Sequence, residues 1–600
     1  MEANPASLPS AKLRERWSLR DLIAASTLFL ASSAVVLWQN AHLTILWDLS
    51  YVLDSSFRIS VGQLPYRDFP FAHAPLTFLI QAAIIRLFGR VFFHHVVYSA
   101  LVGGLGTVLA WRIVLNTLRA RLVHSWAVAL ILAAPLTVLG AYSILPFPSY
   151  DCDCAFSILV AISLLQRLPQ DSTSRLRWNR SLLHPIAAGA ALAIPLFFKQ
   201  NIGLPFLLAA LAGTALLLAA SLLRIPRHSP ASSEARRFGS LLAGAFTALL
   251  GAGLVIHLTV GLGNYFHWTI QFAAQRRLPG FQTMLGIYAE PSLLWWIPCI
   301  SLGLVLLRGR LACIFWARLA ALGLLAAPFL WTLVALSLAD DADDRADSLL
   351  ALWPLLLLLS GALTLVNLRR GLSLRGLLPL VALAAIHGAL LSQQLWGSTY
   401  AIWPLLVVLL AEMVAFLASF DRASYAASGN LNSLRIAPAL AAILSLTLLI
   451  CGGLYTASEE RLSYAQLPDG QVLHPAFSAL RGMSLSGPYL PEFEELLQFA
   501  SANIPNSDGL ILLPGEDPFY FATGRVPQFP VLLFDPATDP YSPDQLVEQA
   551  RARNIRWLIV KRDLQIREDP TPEREATLKA LQAVFVPCRN LSGYDVYRRP

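Results

Sequence analysis

The sequence predicts an α-helical polytopic membrane protein of about thirteen transmembrane helices, followed by a small α/β domain outside the membrane. Three observations predict it. The 600 residues are 56% hydrophobic and only 14% charged, with a mean hydropathy of +0.57, a composition suited to lipid. Apolar runs near the length of a bilayer crossing recur from Leu22 to Thr456, separated by short loops rich in arginine. Beyond that point charged residues become frequent and the apolar runs shorten to strand length.

The first element is the run from Leu22 to Leu37, preceded by Lys12, Arg14, Arg16 and Arg20. It is too long and too poorly terminated for a cleaved signal peptide, so it reads as a retained span with its N-terminus inside. Further spans follow at approximately 95–117, 124–143, 154–167, 183–198, 202–223, 239–260, 292–307, 317–338, 349–367, 375–392, 400–419 and 436–456. The segment 74–89 is apolar but short, and it carries Gln81 and Arg86. Were it to cross, the loops holding Arg112, Arg119 and Arg121 and then Arg167, Arg175, Arg177 and Arg180 would face outward. Lying along the outer interface, it leaves those loops inside, along with Arg224 to Arg237, Arg308 and Arg310, Arg369 to Arg375 and Arg422 to Arg435. The second arrangement places residues 457–600 outside.

Net charge is +8 and is spread along short loops rather than gathered in dense runs. It reads as topology-setting charge and not as a nucleic-acid surface. Six scattered cysteines, with Cys152 and Cys154 the close pair, do not make a disulfide framework. Basic residues on the outer side run against the charge bias: Arg58, Arg67, Arg86, Arg90, Lys199, Arg276, Arg277 and Arg345. Arg86, Arg90 and Arg345 read as snorkelling or paired with acids, whereas Lys199, Arg276 and Arg277 have no carboxylate close in sequence.

Residues 457–600 alternate. Helices are expected at 491–502, 543–553 and 573–585, and strands at 509–513, 530–534, 556–561 and 594–598. This is the pattern of a small α/β unit. Its turn from Leu513 to Pro518 lacks a glycine-rich phosphate loop and reads as structural. No second copy of the opening loop gives the inverted repeat of a transporter.

Three outer segments carry the chemistry. The first, within residues 41–94, runs Trp47-Asp48-Leu49-Ser50-Tyr51, then Asp54, Arg58 and Gly62, to Tyr66-Arg67-Asp68-Phe69 and His73. Asp48 ends an apolar stretch, where desolvation raises a carboxylate's proton affinity and suits a general base. The second is Pro146 to Asp153, whose Asp151-x-Asp153 spacing can bring two oxygens to one divalent cation in a turn, by itself a weak pattern. The third is Phe198-Lys199-Gln200-Asn201, an ammonium and amide donors suited to a phosphate oxygen. An aromatic run from Asn264 to Trp268 leads to Arg276 and Arg277, at the level of a lipid's phosphate. His73, His257 and His267 have no metal-ligand spacing, and no metal is assigned.

In their order these features resemble membrane glycosyltransferases of the GT-C fold, the bacterial relatives of protein O-mannosyltransferases and of the lipid A aminoarabinose transferase. The resemblance rests on Asp48, Tyr51, Gly62 and Pro65 to Phe69, on Ala74-Pro75-Leu76 leading to Leu87-Phe88-Gly89, on Tyr150-Asp151, and on Phe198 to Gly203. It covers a catalytic module of roughly residues 20–290 within a membrane domain of 1–456. It implies transfer of a sugar from a polyprenyl-phosphate carrier to an envelope acceptor on the outer side of a bacterial inner membrane. Asp48 then acts at the acceptor, Asp151 and Asp153 form the second acidic pair, and Lys199, Gln200, Arg276 and Arg277 hold the donor phosphate. Tyr51, Tyr66, Arg67, Asp68 and His73 belong to the acceptor side or the loop. The family often has Asp-Glu at the loop start, where Leu49 follows Asp48 here; Asp54 is therefore a rival base, and the case for a divalent cation is weaker. The competing reading is a secondary transporter or flippase of lipid-linked precursors.

Overall fold

The computed structural model describes residues 17–41, 46–119, 121–168, 178–223, 231–276, 281–392, 401–428, 434–458, 474–485, 487–535, 538–562, 564 and 572–600. Lys12, Arg14, Arg16, Arg175, Arg177, Arg224 and Arg277 lie outside the described residues. The chain is a multi-pass helical membrane protein carrying a small C-terminal sheet. Among the described residues eight helices are long and apolar enough to cross a membrane: Leu19–Asn40, Phe92–Leu118, Gln200–Leu223, Glu234–Thr259, Phe315–Ser337, Ala342–Arg369, Trp403–Arg422 and Ile436–Thr456. Shorter apolar helices occupy Ser125–Thr137, Leu183–Phe197, Leu293–Leu306 and Leu374–Ala389. With the helix Tyr150–Gln166, every segment expected to span carries a helix, although the one at 124–143 stops at Thr137, where Pro135 turns its end into a tight 3₁₀ turn.

Helices are numbered from the N-terminus: α1 Leu19–Asn40, α2 Leu46–Ser60, α3 Leu76–Phe88, α4 Phe92–Leu118, α5 Ser125–Ala133, α6 Tyr150–Gln166, α7 Trp178–Ala193, α8 Gln200–Leu223 and α9 Ala231–Thr259. Ser18 and Asp21 close a capping box at the start of α1, and Trp126 of α5 donates to Asp21 at 2.9 Å, which fixes the N-terminal end of α1. At its other end Gln39 and Asn40 donate to the carbonyls of Ser143 and Pro146.

The stretch after α1, expected as a loop, is helical from Leu46 to Ser60. Leu49, Leu53 and Phe57 recur every four residues and are buried, clustered with Phe92 and Val96 of α4 and with Phe519 and Phe521; an apolar stripe of that period favours a helix. The thirteen residues of α3 rise only about 20 Å, short of an upright crossing. Arg86 and Arg90, expected to snorkel or to meet acids, cap helix ends instead. Arg86 donates to the carbonyls of Ser60 and Ile59 at 2.7 and 3.2 Å, and Arg90 to those of Phe521 and Ala522, where the negative end of a helix dipole attracts a cation. Arg345 donates to the hydroxyl of Ser458 at 2.8 Å.

The C-terminal sheet has the order β1-β2-β4-β3. The strands are β1 Gly509–Leu513, β2 Ile555–Lys561, β3 Val586–Asn590 and β4 Tyr594–Arg598. β1 and β2 are parallel, and β4 is antiparallel to both β2 and β3. The helices Tyr489–Asn503, Pro543–Ala552 and Pro572–Gln582 lie where the alternation expected them. The strand expected at 530–534 does not form: Pro530 lacks the donor a ladder needs, and the segment turns back so that Phe534 N–H bonds the carbonyl of Pro514 at 2.9 Å. The strand Val586–Asn590 was not anticipated, its exposed Pro587 and Arg589 masking a sheet-edge position.

Candidate active site

One face of α2 docks the C-terminal unit. Ser50, Asp54 and Arg58 stand four residues apart and so form one stripe. Ser50 donates to the carbonyl of Glu516 at 2.7 Å. Asp54 accepts the backbone N–H groups of Phe521 at 2.7 Å and Tyr520 at 3.2 Å, in the first turn of the short helix Phe519–Thr523. Arg58 donates to the carbonyl of Pro530 at 2.9 Å, and Gln63 to that of Pro527 at 2.9 Å. Burial pushes the Asp54 carboxyl well above the usual carboxylate range, against the two N–H donors that draw it down. The turn that receives Ser50 is itself rigid. Lys561 pairs with Glu516 at 2.7 Å and Asp517 at 2.8 Å, and Asp517 also accepts from Tyr489 at 2.9 Å and Tyr594 at 3.0 Å.

The neighbouring stripe of α2 carries Asp48, Tyr51 and Ser55. Asp48 is exposed in the first turn of the helix, where the dipole favours an anion. From Tyr51 a row of rings leads inward. The Tyr51 and His73 centroids are 5.2 Å apart, those of His73 and Tyr150 are 4.7 Å apart, and the Lys199 ammonium stands 4.9 Å from the centre of the Tyr150 ring. Lys199 closes an ion pair with the buried Asp151. All three outer segments expected from the sequence therefore meet. Gln200 adds a fourth, donating to the carbonyls of Ala72 at 3.2 Å and Thr269 at 3.3 Å, so its amide is already committed to backbone.

Tyr66 takes φ +67° and donates to the carbonyl of His73 at 2.6 Å, while its ring meets that of Tyr265 at 5.1 Å. Asp68 closes its own turn, accepting from Leu64 N–H at 2.7 Å and pairing with the exposed Arg67 at 2.9 Å; that guanidinium holds its carboxyl below the usual range. These residues shape the loop after α2 and set the position of His73.

Asp151 and Asp153 do not converge on a common point. Asp151 turns to Lys199, whereas Asp153 accepts from Thr77 at 2.6 Å, Tyr142 at 2.7 Å and Tyr98 at 2.8 Å, tying α3, α4 and α6 together. Among the described residues no group of three or more His, Cys, Asp and Glu side chains could hold a metal ion. Arg276 is exposed; its guanidinium lies 5.8 Å from the Phe272 ring, and its charge acts on Asp539 of the C-terminal unit. Arg277 is outside the described residues. Sequence reasoning passed over Ser50, Ser55, Thr77, Tyr98 and Tyr142. The four-residue spacing of Ser50, Asp54 and Arg58 was a legible signal, but the hydroxyls on Asp153 come from separate helices and left none.

No family profile matches the chain, and no curated protein matches it by sequence. Among solved structures the chain is similar to ArnT from Cupriavidus metallidurans bound to undecaprenyl phosphate, at 13% identity and a TM-score of 0.42 over 95% of this chain and 97% of that one. It is also similar to the Archaeoglobus fulgidus oligosaccharyltransferase tethered to an acceptor peptide, at 13% identity and a TM-score of 0.47 over 98% and 74% of the two chains. A third is the archaeal oligosaccharyltransferase AglB from Archaeoglobus fulgidus in complex with an inhibitory peptide and a dolichol-phosphate, at 13% and 0.46 over 91% and 70%. At this identity and superposition no residue role passes from those proteins to this chain.

Proposed function

We propose that the protein is a glycosyltransferase that moves a sugar from a polyprenyl-phosphate carrier to an acceptor on the outer face of the cytoplasmic membrane. The observation that carries this reading is the row Tyr51, His73, Tyr150 and Lys199, beginning one helical turn from Asp48. A carboxylate suited to taking a proton stands at the open end, and a cation suited to a phosphate leaving group stands at the other. Displacement at an anomeric carbon needs both, held apart by the sugar between them.

In this mechanism Asp48 accepts the proton of the acceptor hydroxyl as that oxygen attacks the anomeric carbon. The bond to the carrier phosphate breaks, and its negative charge is met by Lys199, which its ion pair with Asp151 aims. Tyr51, His73 and Tyr150 supply ring faces that exclude water from the sugar. Arg276 and Arg277 are assigned to the carrier at the membrane surface, and Gln200 to holding the 199–201 segment against Ala72. Asp54 is assigned to docking, because both its oxygens receive backbone N–H groups. A membrane domain of 1–456 and an outer domain of 457–600 complete the proposal, with thirteen crossings and α3 along the interface.

The test is transfer from radiolabelled polyprenyl-phosphate sugars to membrane extract by purified wild type, Asp48→Asn and Asp54→Asn. Loss of transfer in Asp48→Asn with transfer kept in Asp54→Asn is expected. Full activity of Asp48→Asn would overturn the assignment of the base, and no transfer by wild type with any donor would favour a flippase.

A further inference from the structure

Arg551, Arg553, Arg556, Arg598 and Arg599 gather at one end of the C-terminal sheet, where β2 begins and β4 ends. Backbone contacts fix them as neighbours. Arg598 stands opposite Trp557 in the β2–β4 ladder, and Arg599 N–H bonds the Arg556 carbonyl at 2.8 Å, so Arg556 and Arg599 face each other across it. Arg551 and Arg553 lie at the C-terminal end of the helix Pro543–Ala552, and Asn554 N–H returns to the Arg551 carbonyl at 3.1 Å. Arg599 closes the group, donating to the Ala550 carbonyl at 3.3 Å and to the Asn554 side chain at 2.5 Å. Arg599 is half-buried and the other four are exposed.

Two features set this cluster apart from an ordinary solvated face. The first is charge. Residues 457–600 hold 19 acidic side chains against 14 basic ones, yet among the described residues no carboxylate forms an ion pair with any of the five. Asp508, just before β1, accepts the Trp557 indole N–H at 3.1 Å instead. Like charges opposite one another in a ladder destabilise it, so the unit carries a repulsion that a bound anion relieves. The second is the backbone. β1 pairs Gly509 with Ile555 and Leu510 with Trp557, passing over Arg556 in a bulge, a device that re-aims a side chain. Asn554 takes φ +51°, which turns the chain sharply between Arg553 and Arg556.

We propose that this end of the sheet is a docking surface for an acidic polysaccharide, whose carboxylates or phosphates are gripped by the guanidinium forks. The surroundings favour a glycan over other anionic partners. A folded protein brings an apolar centre inside its charged rim, and lasting membrane adhesion adds apolar side chains that enter lipid. Among the described residues the large apolar side chains exposed on the unit are Val526 and Val586, too few for either. A hydrated polyanion needs none. This inference does not rest on the transferase reading, and each stands if the other fails.

The test is calorimetric titration of polygalacturonate, phosphorylated dextran and neutral dextran into the full chain in phosphatidylcholine nanodiscs. The triple variant Arg551→Gln, Arg556→Gln, Arg598→Gln removes guanidinium groups that form no ion pair among the described residues, so the fold is kept, and melting curves check it. The expected result is binding of at least one acidic polymer that weakens as salt rises, is about tenfold weaker in the triple variant, and is absent for dextran. Whichever acidic polymer binds more tightly tells carboxylate from phosphate. No binding of either acidic polymer, equal binding by a folded triple variant, or equal binding of dextran overturns the surface. Arginine-dependent binding to phosphatidylglycerol vesicles, with neither polymer bound, overturns the glycan and assigns the patch to a membrane.

Discussion

Replacing Asp54 separates docking from catalysis. Its two oxygens receive the N–H groups of Phe521 and Tyr520, which sit at the start of a five-residue helix too short to hold its own first turn. Asp54→Ala leaves both buried donors without an acceptor. Each costs about 1–3 kcal/mol, so the local cost is ~2–6 kcal/mol. Asn keeps one oxygen and resembles the protonated acid that burial already favours, so Asp54→Asn costs about a third as much. The assay is amide hydrogen exchange at Tyr520 and Phe521 by mass spectrometry in detergent, with sugar transfer measured on the same preparations. Protection at these amides falls by a factor of ten or more in Asp54→Ala and much less in Asp54→Asn. Unchanged protection in Asp54→Ala would refute the docking role. Loss of transfer in Asp54→Asn with protection intact would make Asp54 the base.

Three further outcomes are expected. Lys561→Met strands Glu516 and Asp517, which are 0% and 1% exposed, and destabilises the C-terminal unit by ~3–5 kcal/mol; proteolysis at the sheet, compared with wild type, measures it. Breaking the buried Asp151 and Lys199 pair with either Asp151→Asn or Lys199→Met lowers thermal stability in detergent, while the double variant recovers part of the loss, because no unpaired charge remains. Burial raises Asp539 from 3.8 to about 7, although Arg276 draws it down. Below pH 4 the acid is protonated in both folded and unfolded chains, and its contribution is fully present. Between about pH 4 and 7 only the folded chain keeps the proton, so stability falls as pH rises through that window, by at most ~4 kcal/mol. Asp539→Asn flattens this slope in melting curves taken across the same range.

How much of the site was legible differs residue by residue. Asp48, Tyr51, Tyr150, Asp151 and Lys199 could be picked out because polar groups at the ends of apolar runs are costly and need a reason. Their contacts could not be read. Lys199 has no acid near it in sequence, yet it pairs with Asp151, because the ends of the helices on either side of them come to one level. Asp151 and Asp153 look like a pair in the sequence, but two residues apart on a helix their side chains point about 200° apart, and they serve different partners. Asp54 stood in the sequence as a rival to Asp48 for the base. Six residues apart on α2, they lie on different faces, one open and one covered.

By itself the sequence determined the helical membrane architecture and the alternating C-terminal unit, because hydropathy and periodicity are local properties that each segment carries with it. It also pointed to three polar segments at the ends of apolar runs, which the structure brings together. Only the tertiary structure decided which carboxylate lies exposed and which is buried in docking. That choice depends on where the turn from Leu513 to Phe521 lands on α2, a contact between residues more than 460 positions apart to which no local pattern points.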